Sequence, residues 1–158
     1  MKADLDRLMT ARGLDAIVVF GGETFSAPHA YLARGAHVTG GYVIKVRGAD
    51  PLLFVNPMET EEALVSGLTV HSYNEFGWAE VVREHQGDRA RAEVVMLGRY
   101  LAQAGVTRGR VGLYGDGAIN AAIELARLLR ETYPEIEFAG ELGMTLFDEA
   151  YVTKDADE

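Results

Sequence analysis

The sequence predicts a three-layer α/β/α domain on a mixed, mostly parallel sheet that contains an antiparallel hairpin. Three observations carry this. Short β-branched apolar runs alternate with stretches of helical periodicity along nearly the whole chain, the pattern of a sheet covered by helices on both faces. Gly40 to Arg47 alternates Tyr42, Ile44 and Val46 against Val43, Lys45 and Arg47, and a Gly48-Ala49-Asp50-Pro51 turn then leads to the apolar run Leu52 to Asn56. That is the signature of a hairpin, its first strand having one wet face. Glycine-rich points fall singly between elements, with no repeat, low-complexity segment or internal linker, so the chain reads as one domain.

The elements follow in order. Leu5, Leu8 and Met9 lie one helical turn apart and Gly13 stops the pattern, giving a first helix. Asp15 to Phe20 is a buried strand ending at Gly21-Gly22. Ser26 to Arg34 is a short helix with Pro28 in its first turn. After the hairpin, Asn56 caps a helix with Pro57 and Glu59 in its first turn. Leu68 to His71 is a strand, and Glu80 to Glu84 and Asp88 to Ala104 are helices. Arg110 to Tyr114 is a strand, Ile119 to Glu131 a helix, Ile136 to Ala139 a strand, and Glu141 to Phe147 a last short helix. Thr153 to Glu158 reads as the start of another helix, with Asp155 as its cap.

Composition excludes several function classes. The 158 residues are 48% hydrophobic and 25% charged, ordinary for a globular domain. A formal net charge of −9 repels phosphate backbones and anionic lipid, so neither nucleic acid nor a membrane surface is an expected partner. No cysteine is present, which removes disulfides and thiolate chemistry and favours a cytoplasmic location. No apolar run approaches the roughly 18–20 residues of a membrane span.

Motifs for catalysis are missing. HExxH, GxSxG and GxxxxGK[ST] do not occur, and His29, His37, His71 and His85 are scattered. No metal ligands and no catalytic residues are therefore assigned. Glu59, Glu61 and Glu62 read as a solvated face at the positive end of a helix dipole. Gly112 to Asn120 runs from strand through glycines to helix, and Gly115-x-Gly117-x-x-Asn120 approximates a dinucleotide fingerprint. It lacks the third glycine, and Asp116 would stand beside the phosphates. A stand-alone nucleotide-binding module built on this segment remains the alternative reading.

Read together, several segments resemble the N-terminal domain of the creatinase/prolidase/Xaa-Pro aminopeptidase family, the pita-bread metallopeptidases. They are Leu5-x-x-Leu8-Met9 with Gly13 to Val19, then Ala30-Tyr31-Leu32, then Leu52 to Val55 with Met58-Glu59-x-x-Glu62-Ala63, then Val111 to Gly115. Phe147 to Glu158 looks like that family's interdomain junction, with Lys154 and Glu158 aligned. Ala33-Arg34, Tyr151 and Thr153 depart from the family pattern, so no subfamily is chosen.

The resemblance implies a domain over residues 1–152 and, over 153–158, the start of a junction to a C-terminal metallopeptidase domain. It implies that catalysis on Xaa-Pro peptides belongs to that second domain, as Xaa-Pro aminopeptidase or dipeptidase, with two divalent metal ions. The N-terminal domain would be inactive itself, supporting a homodimer and gating substrate, or would be the interaction domain of a pseudoenzyme. For gating, the loop after the first strand offers Phe25, His29 and Tyr31. Phe76 and Trp78 form a second aromatic patch, for which core packing is the plainer reading.

Overall fold

The computed structural model describes residues 3–22, 25–34 and 36–153. Six strands form one sheet: β1 (Ala16–Gly21), β2 (Gly41–Val46), β3 (Leu52–Val55), β4 (Thr69–Ser72), β5 (Gly109–Gly115) and β6 (Ile136–Ala139). Their order is β4-β3-β2-β1-β5-β6. β2 runs antiparallel to both its neighbours, while β3–β4, β1–β5 and β5–β6 are parallel. The sheet is thus mixed and mostly parallel, with β2 as the one reversed strand among those described.

Period-two alternation divides the core. Ala16 and Val18 of β1 face one side with Ile44, Phe54 and Val111, under α4 (Trp78–Glu84), α5 (Arg89–Gln103) and α6 (Ile119–Thr132). Ile17 and Val19 face the other with Val43, Leu53 and Val55, under α1 (Ala3–Ala11), α2 (Ala27–Leu32), α3 (Thr60–Ala63) and α7 (Leu146–Thr153). Leu5, Leu8 and Met9 are buried on this side, each worth roughly 1.5–3 kcal/mol of burial. Phe76 and Trp78 are half-buried and pack on the first side.

Two expectations need correction. The face of β2 carrying Val43 and Lys45 is not wet: α1 covers it, and buried Lys45 donates from Nζ to Asp6 Oδ1 and to the Val46 carbonyl at 2.9 Å. Glu141 to Phe147 is not a helix. Gly143 takes φ +83°, and α7 begins only at Leu146. Thr145 and Asp148 start it reciprocally: Thr145 N donates to Asp148 Oδ2 at 2.8 Å, and Asp148 N donates to Thr145 Oγ1 at 3.2 Å. Asp155 and the rest of residues 154–158 lie outside the described residues.

Candidate functional site

β1 lies in the middle of the sheet and ends in bare backbone. The connection after β1 leads to α2 on one face, and the one after β5 leads to α6 on the opposite face. A crevice opens beyond the carboxyl ends of parallel strands at such a switch. Here two crevices flank the end of β1 and share Gly21.

The α2-side crevice has a volume of about 320 Å³ and is walled by Gly21, Gly22, Ser26, His29 and the 36–39 loop, with Phe25 on its rim. Gly21 pairs with Gly41 across the sheet. A Cβ on Gly21 would stand 3.0 Å from the His29 ring, so only glycine lets the imidazole close over the strand end. His29 is 5% exposed. Burial holds its pKa below the ordinary 6.5, and the nearby Glu59 carboxylate offsets this only in part, so the ring is neutral at pH 7. The far wall is pinned by α3 and the turn before it. Glu59 Oε1 accepts from Thr39 N at 2.7 Å, and Glu62 Oε1 accepts from His37 N at 3.2 Å.

Of the residues singled out from the sequence, Phe25 and His29 meet here, Phe25 being 80% exposed. Tyr31 does not join them. It is half-buried between α2 and α7, edge-on to Tyr151 at 5.3 Å and to Phe147 at 6.2 Å. Ser26, His37 and Thr39 escaped the sequence reading. Glu59 and Glu62, read there as a solvated face, also hold the crevice wall at separations of 20 and 25 residues, which no local pattern reveals.

The α6-side crevice, about 410 Å³, contains the Gly115-Asp116-Gly117 turn. Gly115 takes φ +139°, and a Cβ there would stand 2.8 Å from the Phe20 carbonyl, so this glycine serves close strand packing. Glu93, Asp116 and Glu124 line the crevice, and among the described residues no Lys or Arg does. That field is hostile to a pyrophosphate.

Among the described residues no group of three or more His, Cys, Asp or Glu is placed to hold a metal ion, and no helix is long and apolar enough to cross a membrane.

No family model and no curated protein matches the sequence. Solved structures do match. A dipeptidase from Pyrococcus horikoshii aligns over 99% of this chain and 38% of its own, with 14% identity and a TM-score of 0.59. An X-Pro aminopeptidase from Thermotoga maritima aligns over 96% of this chain and 34% of its own, with 13% identity and a TM-score of 0.56. The creatinase/prolidase N-terminal domain of an X-Pro dipeptidase from Streptococcus pyogenes aligns over 89% of this chain and 94% of its own, with 14% identity and a TM-score of 0.52. The chain therefore spans little more than a third of the dipeptidase and the aminopeptidase, and its fold is that of a creatinase/prolidase N-terminal domain.

Proposed function

We propose that this chain is the non-catalytic N-terminal domain of a proline-directed metallopeptidase, an Xaa-Pro aminopeptidase or dipeptidase, acting in dimerisation and substrate gating. The extent of the fold match supports this most: nearly all of this chain overlays about a third of two longer peptidases and nearly all of a separate N-terminal domain. The described residues do not fit a metal pair. In this reading a separate C-terminal domain would hold two divalent ions, which would supply the activated water for peptide-bond cleavage.

The part left to this domain is steric and hydrogen-bonding. Exposed Phe25 offers an aromatic surface at the rim, and His29 a neutral imidazole behind it. The parent acts on proline-containing peptides in the cytoplasm, a location that the lack of cysteine favours. The test is Phe25→Ala in a protein carrying both domains. KM should rise several-fold, and by different factors for Xaa-Pro peptides of different length, with kcat little changed. An unaltered dependence on length would argue against gating.

A further inference from the structure

We propose that the crevice between β1 and α2 binds an uncharged amide, a peptide link or a primary carboxamide, through Ser26 Oγ and His29 Nε2. The site stands on its own residues and does not depend on the gating role. Ser26 and His29 are 6% and 5% exposed, and neither Oγ nor Nε2 has a hydrogen-bond partner among the described residues. Two such atoms three residues apart on one wall of a cavity are unusual, because buried polar atoms are almost always paired.

Ser26 makes the point sharper. It precedes α2 with extended backbone angles, the position where a serine hydroxyl ordinarily accepts from the first turn, yet it makes no such bond. Its hydroxyl stays buried and unpartnered in a residue of the crevice wall. Gly21 opposite carries no side chain, and this lets the His29 ring sit where it does.

The ligand class follows from the lining. A hydroxyl and a neutral imidazole together both donate and accept, which complements a group that does the same within a few ångströms. An amide is such a group. Among the described residues no Lys or Arg lines the crevice, so a carboxylate or phosphate would find no counter-ion in that lining. Among the described residues, nearby Glu59 already accepts from Thr39 N and Oγ1 and does not line the cavity, so a cation gains no direct partner from them. The volume of about 320 Å³ lies at the small end of ligand pockets.

The experiment is a titration of the protein followed by the side-chain nitrogen resonances of His29. The probes are N-acetylglycine-N′-methylamide, propionamide, acetate and methylammonium. Saturable movement of Nε2 by an amide but not by acetate or methylammonium is expected, and the tighter of the two amides tells peptide link from carboxamide. Ser26→Ala should weaken the amide about 5- to 10-fold and leave the thermal midpoint unchanged or higher. The proposal is overturned if neither amide gives saturable movement, if the ions compete equally, or if Ser26→Ala binds as well as the parent. It is equally overturned if Ser26→Ala lowers the midpoint, since the hydroxyl would then be bonded within the fold.

Discussion

Arg12 Nε donates to Glu141 Oε1 at 2.6 Å, and this one pair ties the end of the first helix to the segment that launches the last. Arg12 also reaches Glu149 on α7 at 2.6 Å, while the other Glu141 oxygen accepts from the Tyr114 hydroxyl at 2.7 Å and from the Leu146 amide at 2.8 Å. Glu141 thus does for α7 what a capping side chain does, from five residues away.

Burial alone would raise the Glu141 pKa, but the Tyr114 hydroxyl, the Leu146 amide and Arg12 outweigh it and hold the carboxyl below its ordinary 4.5. A depressed folded value means stability that is present above about pH 4.5 and is lost as pH falls through the folded value. Denaturant melts of Glu141→Gln should show a flatter acid limb than the parent. Arg12→Ala, which strands a mostly buried carboxylate, should cost about 2–3 kcal/mol at pH 7.

His29 is a base with a depressed pKa, so the unfolded chain takes up its proton first as pH falls. Its contribution is intact above about pH 6.5 and is lost as pH falls through the folded value. The ring-proton titration of His29 should have its midpoint below 6.5, and His29→Gln should remove part of the stability loss between neutral pH and pH 5. A midpoint above 6.5 would mean that the ring has found an anionic partner.

Gly98 lies inside α5, where alanine would ordinarily be better by about 1 kcal/mol. A methyl there would overlap the Tyr133 ring, whose hydroxyl donates to the Val94 carbonyl at 3.2 Å. Gly98→Ala should therefore destabilise the protein by about 1–3 kcal/mol, and Tyr133→Ala should reverse the sign of its effect in a double-mutant cycle.

Lys45 and Asp6 pair across β2 and α1, with the lysine buried and the aspartate half-exposed. Removing the carboxylate leaves a buried ammonium, whereas replacing the lysine with an apolar chain does not. Asp6→Ala should cost about 3 kcal/mol, and Lys45→Met should be close to neutral, by chemical denaturation.

Much of this fold was legible in local sequence. Asp15 to Phe20 and Arg110 to Tyr114 are apolar runs bounded by glycine, and they became the paired central strands β1 and β5. Asn56 was legible as a cap, and its side chain does accept from Met58 N at 3.0 Å. α7 was placed too early: Leu142 and Met144 are exposed while Leu146 and Phe147 are buried, so the apolar face that holds the helix begins only at Leu146. The Thr145-x-x-Asp148 spacing held the correct start. Lys45 was misjudged because alternation shows that a strand has two faces, not which helix covers them. The crevice beside Ser26 and His29 was only half legible: the loop after β1 pointed to Phe25 and His29, while its far wall is the 36–39 loop, pinned by Glu59 and Glu62 from further along the chain.

The most direct measurement is hydrolysis of Xaa-Pro peptides with added divalent metal, by this 158-residue chain and by the same reading frame continued past Glu158. The account predicts no turnover by the short chain and metal-dependent turnover by the longer one. Metal-dependent turnover by the short chain would contradict it, and so would a longer protein that neither binds metal nor cleaves these peptides.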